Sequence, residues 1–173
     1  ASSTSSANIT YFNMDCNEVI DHLLPQLPSF SLDFCFIDPT NWQIKFDSIR
    51  KLTKDRRMDI AITFHTGEMK RVADSAPEEM DDFFGNPSWQ EEYKGMQLKG
   101  GHEGSRILLD FYKQKLRDIG YQEFDDHILV RTTTGLPFYH LLFASKDRRG
   151  KDFGNKISQK SSTGQLRLPL LEA

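Results

Sequence analysis

Leu32-Asp-Phe-Cys-Phe-Ile37, closed by Asp38-Pro39, and Met58-Asp-Ile-Ala-Ile-Thr-Phe64 decide the fold. Each is an apolar run of strand length, and near-continuous runs of this kind suit strands buried on both faces of a parallel sheet. Between them Trp42, Phe46, Ile49 and Leu52 recur at helical steps. Lys51, Lys54, Arg56 and Arg57 gather at the far end, where cations suit the helix macrodipole. Upstream, Ile9-Thr-Tyr-Phe-Asn-Met14 reads as a further strand. The segment 15–24 reads as a helix with Asp15 or Asn17 as its cap and Val19, Ile20, Leu23 and Leu24 on one face. Strand, helix, strand, helix, strand with short connections implies right-handed crossovers and a parallel α/β sheet with helices on both faces.

Beyond residue 74 the chain changes character. Over residues 74–126 thirteen acidic residues face six basic ones, and the pattern predicts a mostly helical acidic insertion. Pro77, Glu78 and Glu79 open one helix, Gly85-Asn-Pro87 stops it, and Lys99-Gly-Gly-His-Glu-Gly104 reads as a flexible turn. Residues 105–119 give the clearest helical periodicity, ended by Gly120. The period then shortens, and residues 127–132 and 137–144, joined by a turn with Gly135, predict a C-terminal antiparallel hairpin. Residues 1–8 read as a disordered segment or linker, residues 9–145 as the domain, and residues 146–173 as a basic tail with seven Lys or Arg against three acids.

The whole chain of 173 residues carries a formal net charge of −3, so only a local patch, such as the basic tail, suits nucleic acid. No apolar run approaches the ~20 residues of a membrane span, and residues 1–8 lack the pattern of a signal peptide, so a cytoplasmic protein is expected. Cys16 and Cys35 form neither a disulfide framework nor a zinc spacing, and the five histidines show no metal-binding pairing, so no metal is expected.

Asn13-Met-Asp-Cys-Asn-Glu18, Phe36-Ile-Asp-Pro39, Phe83-Phe-Gly85 with Trp89, Leu109-Asp-Phe-Tyr112 and Leu136-Pro-Phe-Tyr-His-Leu-Leu-Phe-Ala-Ser-Lys146, in this order, resemble the three-Cys-motif partner protein family. The resemblance covers nearly all of residues 9–157. It implies a bacterial, Rossmann-like class I methyltransferase fold with strand order 3-2-1-4-5-7-6, S-adenosylmethionine as cofactor, and a three-cysteine-motif protein as partner. On that pattern residues 9–14 are strand three, 32–37 strand four, 58–64 strand five, and the hairpin strands six and seven. Strands one and two, with their Gly-rich cofactor turn, are absent, so the chain reads as a partial fold that does not hold the cofactor alone.

The expected function is methyl transfer to an unknown acceptor, nucleic acid being the leading class. The alternative is a catalytically silent interaction module for the three-cysteine-motif partner. Asp38 and Pro39 end a strand where open α/β sheets place ligands, and a carboxylate there can accept a hydrogen bond from a target amine. They are the catalytic candidates, with helix capping as the competing role of Asp38. Asp15 and Cys16 are the cofactor-binding candidates by resemblance, with capping and burial as their plainer roles. Trp42 and His65 are the substrate-binding candidates, against core packing for both. An edge strand bearing Phe34 and Phe36 also makes a homodimer a candidate partner arrangement.

Overall fold

The structure, a computed structural model, describes residues 8–39, 42–65, 69–99 and 101–150. In chain order the elements are α1 Val19–Leu23, a 3-10 turn Leu24–Gln26, β1 Leu32–Ile37, α2 Phe46–Thr53, β2 Arg57–Phe64, α3 Met69–Ser75, α4 Pro77–Phe84, α5 Trp89–Lys99, α6 Gly101–Asp118, β3 Glu123–Arg131 and β4 Pro137–Ser145. The described strands form one sheet ordered β1-β2-β4-β3. β1 and β2 run parallel, from Leu32 opposite Arg57 to Ile37 opposite Ile62. β4 runs antiparallel to both β2 and β3. The α/β class and the terminal hairpin are therefore present, but the sheet is mixed and not mostly parallel. A hairpin strand that returns beside β2 must run against it, which leaves β1 and β2 as the parallel pair.

One face of the sheet is built for packing. Ile60, Ile62 and Phe64 of β2 and Leu142 and Ala144 of β4 are fully buried beneath the helices. Against them sits an aromatic cluster in which Phe83 of α4 stacks on Tyr112 of α6, with ring centroids 4.6 Å apart. Phe64 meets the same two rings at 5.7 and 5.4 Å. Trp42 is placed edge-on to Phe64 and Phe83. Each such side chain contributes about 1.5–3 kcal/mol through burial.

The opposite face departs from the expectation of helices on both faces. In β1 the burial alternates, and Leu32, Phe34 and Phe36 are 78%, 50% and 57% exposed, whereas Ile60 is fully buried. Among the described residues the helices cover only the face that carries Ile60. Residues 9–14 also differ from the expected strand: residues 8–13 have no regular structure, and Ile9 and Tyr11 are exposed. A lone extended segment gains no ladder of hydrogen bonds to offset its ordering cost. α1 is shorter than the segment 15–24, its last turn tightening to 3-10 geometry at Pro25.

Helix ends follow the local chemistry. Pro77 opens α4, and Gly85 closes it at φ +78°, where a Cβ would meet Phe46 Cβ at 3.0 Å. α6 ends in a Schellman motif, with the Tyr121 N–H donating to the Leu116 carbonyl and the Gly120 N–H to that of Arg117. The predicted flexible turn at 99–104 shrinks, because α6 already begins at Gly101; residue 100 lies outside the described residues. The predicted strand 127–132 begins earlier, at Glu123, and carries a bulge between Asp125 and Ile128. Beside that bulge Asp126 binds Lys113 at 2.9 Å and Arg106 at 3.0 Å, which ties β3 to α6.

The Tyr112 hydroxyl is fully buried and has no hydrogen-bond partner among the described residues. Tyr112→Phe is therefore expected to stabilise the chain by roughly 1 kcal/mol in urea unfolding, since it removes an uncompensated polar group and keeps the stack. Phe83→Ala, which leaves a cavity at the same contact, is expected to cost about 3–5 kcal/mol.

Candidate functional site

Ligand sites in open α/β sheets lie beyond the carboxyl ends of parallel strands, and β1 and β2 are the pair that supplies such an edge. Asp38 and Pro39 follow β1 directly, and Thr63 and His65 stand at the end of β2. The parallel register that sets Ile37 opposite Ile62 carries Asp38 to Thr63. The Thr63 hydroxyl donates to Asp38 Oδ1 at 2.6 Å, and His65 Nε2 lies 3.5 Å from the same hydroxyl oxygen. With its one proton directed at the carboxylate, that hydroxyl can only accept from the imidazole, which calls for a proton on Nε2. The His65 ring packs at 5.6 Å against both Phe138 and Tyr139 of β4. The sequence candidates Asp38 and His65 thus meet through Thr63, a residue that sequence reasoning passed over. Its signal was a single hydroxyl in the otherwise apolar run Ile60-Ala-Ile-Thr-Phe64.

Asp38 and Pro39 also border a cavity of about 360 Å3, with Cys16, Cys35, Gln43 and the apolar side chains of α1 and α2 around it. The body of this cavity is apolar, and Asp38 and Gln43 supply polar edges. A neighbouring, more open groove of about 530 Å3 runs past Asp15, Cys16, Asn17, Lys45 and Asp82. Cys16 belongs to both.

Asp15 is placed as a turn-former. Its carboxylate accepts from the Asn17 N–H at 2.7 Å and its carbonyl from Val19 at 2.9 Å, at the entry to α1. The Asn17 N–H first, then the Asn17 side chain, and with less weight the Glu18 N–H and the nearby Lys45 ammonium hold its pKa below the ordinary carboxylate value. Asn17 locks the groove wall: its amide donates to the Gln43 carbonyl at 3.0 Å, and its side-chain oxygen accepts from the Lys45 N–H at 2.9 Å. Lys45 in turn bridges to Asp82 at 2.9 Å.

Cys16 is exposed at the rim, but partial desolvation first, and the Asp15 carboxylate second, raise its pKa. Both effects disfavour the thiolate, the nucleophilic form. Burial likewise raises Cys35. Trp42 is only 2% exposed and lies in the aromatic core, its indole N–H without a hydrogen-bond partner among the described residues. In this position it supports the groove from beneath and presents no face for stacking.

Within the basic tail, Lys146 donates to the carbonyls of Thr53 and Arg56, and Arg149 pairs with Asp147 at 2.8 Å. Those two cations are engaged internally, and residues 151–173 lie outside the described residues. Among the described residues no cluster of three or more His, Cys, Asp or Glu could hold a metal ion, and no helix is long and apolar enough to cross a membrane. Comparison of the chain with protein-family models, with curated proteins and with solved structures finds no match.

Two outcomes follow from this geometry. Alkylation of Cys16, followed in a Cys35→Ser background, is expected to reach half its maximal rate above the ordinary cysteine range, and Asp15→Asn is expected to move that midpoint to lower pH. A double-mutant cycle of Thr63→Val with Asp38→Ala, read by urea unfolding, is expected to give a coupling of about 1 kcal/mol or more for the charge-assisted bond.

Proposed function

We propose that this chain is the acceptor-side half of a class I methyltransferase-like domain. In it Asp38 receives the hydrogen bond of an amine on the acceptor, nucleic-acid bases being the leading class. The observation that carries this reading is the strand order β1-β2-β4-β3, with β4 alone reversed among the described strands, which fits strands four, five, seven and six of that fold. Asp38 then falls at the end of strand four, the place the resemblance gives to the acceptor. Thr63 fixes one carboxylate oxygen, and His65 with Phe138 and Tyr139 forms a wall beside it.

S-adenosylmethionine supplies the methyl group in such domains. Here Asp15 and Cys16 border a groove suited to its adenine end, but the described residues offer no strand, Gly-rich turn and helix for its methionine end. The residues present do not fit the whole cofactor, and no transfer step is assigned to this chain alone. A cytoplasmic address belongs to the same reading.

A second reading, an interaction module whose partner is a three-cysteine-motif protein, is favoured by the exposed apolar side chains of β1. The methyl-acceptor reading is tested by NMR titration with cytidine and uridine, which differ at the exocyclic amine. Cytidine is expected to shift the amides of Asp38, Thr63 and His65, uridine less, and Asp38→Asn is expected to remove the difference. Calorimetry with S-adenosylhomocysteine is expected to show a Kd weaker than about 1 mM. Micromolar binding of that ligand, or equal responses to the two nucleosides, would overturn the assignment.

A further inference from the structure

The hollow of about 360 Å3 beside Asp38 is walled by Val19, Ile20 and Leu23 of α1, Ile37 of β1, and Ile49 and Leu52 of α2. Ile20, Ile49 and Leu52 also belong to the buried core, so the hollow reaches inward from its rim. Apart from the thiols of Cys16 and Cys35, its polar side chains are Asp38 and Gln43, and both are exposed. Among the described residues no lysine, arginine or histidine lines it. Thr63 donates to Asp38 Oδ1, and no described residue donates to Oδ2. The hollow therefore offers hydrocarbon at depth and a carboxylate with one open oxygen at its mouth. Its volume falls at the lower end of the range for small-molecule sites, ~300–1,000 Å3, in which an apolar wall holds the ligand and a few polar groups orient it.

We propose that this hollow binds a small organic ammonium compound, with its hydrocarbon body between α1 and α2 and its ammonium on Asp38 at the rim. Burial of the hydrocarbon supplies affinity, and the carboxylate supplies selectivity for the cation. The inference goes beyond the acceptor reading: it shares Asp38 with that reading and does not depend on methyl transfer.

The distribution of polar groups selects this class of ligand. A fatty or aromatic acid would set its carboxylate against Asp38 in a hollow that no described cation lines, and like charges so placed repel. A nucleobase pushed to the depth of the hollow would bury ring nitrogens and carbonyls against isoleucine and leucine, where they find no partner. The base of the acceptor reading belongs instead at the wall of His65, Phe138 and Tyr139, outside the hollow. A wholly apolar molecule would fill the space and gain nothing from Asp38. An ammonium on a hydrocarbon body meets none of these penalties, because its N–H donors reach Oδ2 and rim water while every buried atom is carbon.

The test uses the 173-residue chain and three probes of one length, 4-phenylbutylammonium, 4-phenylbutanol and 4-phenylbutanoate, titrated at neutral pH and read by amide NMR. The ammonium is expected to shift the amides of Val19, Ile20, Cys35, Ile37 and Leu52. Because the pair at the rim is solvent-exposed, it is expected to bind about threefold tighter than the alcohol, a ratio that shrinks as salt is raised. The carboxylate is expected to bind about tenfold more weakly than the ammonium. Asp38→Asn is expected to bring the ammonium to the affinity of the alcohol and to leave the alcohol unchanged. Val19→Trp, at a half-buried wall position, is expected to weaken both by about tenfold, with its urea midpoint showing that the fold is kept. Should that variant not fold, occupancy is read in the Cys35→Ser chain, where saturating ammonium is expected to slow alkylation of Cys16 about twofold or more. Equal binding of ammonium and alcohol, shifts that miss α1 and α2, or an unchanged ratio in Asp38→Asn would overturn the proposal. Equal responses to cytidine and uridine would not, since they bear on the acceptor reading alone.

Discussion

The stack of Phe83 on Tyr112 is the contact on which the rest of the molecule depends. It joins α4 to α6 over Phe64, and Phe64 is the residue between Thr63 and His65. Alternation along β2 turns Phe64 into the helical layer and Thr63 to the other face, so the packing that fixes one ring also fixes the neighbouring hydroxyl. The hydrogen bond from Thr63 to Asp38 is thus placed by a hydrophobic decision made on the opposite side of the sheet. A polar site positioned in this way is rigid without a polar network of its own to hold it.

Much of this arrangement was legible from residue pattern. The runs at 32–37 and 58–64 are strands, they are parallel, and the hairpin follows at the end of the chain. What pattern could not supply was which faces are covered. An apolar run reads the same whether helices lie on one side or both, and Phe34 and Phe36 were expected to be buried for that reason. The strand expected at residues 9–14 was misread because propensity describes a residue's fitness for a ladder and not the presence of a neighbour to complete it. At the site, Asp38 and His65 were visible as residues ending strands. Thr63 was not, because only the inter-strand register, fixed by contacts distant in sequence, brings it to Asp38.

The C-terminal end of β1 sets Asp38 and Gln43 at the rim of an apolar hollow, so a few polar groups stand on an otherwise apolar wall.

The position of β4 has a consequence for synthesis. The second neighbour of β2 is β4, the last strand among the described residues, so a nascent polypeptide that has already emitted β1 and β2 must complete all of α3 to β3 before that side of β2 can be closed. At ordinary rates of translation that interval is on the order of several seconds. During it the carbonyls of Thr53, at the end of α2, and of Arg56, in the turn after it, also wait for Lys146, which binds them only once β4 has docked. The acidic character of residues 74–126 means that the segment made in this interval carries like charge. Mutual repulsion between neighbouring nascent chains on one polysome would then help to keep the waiting edge of β2 from the wrong partner.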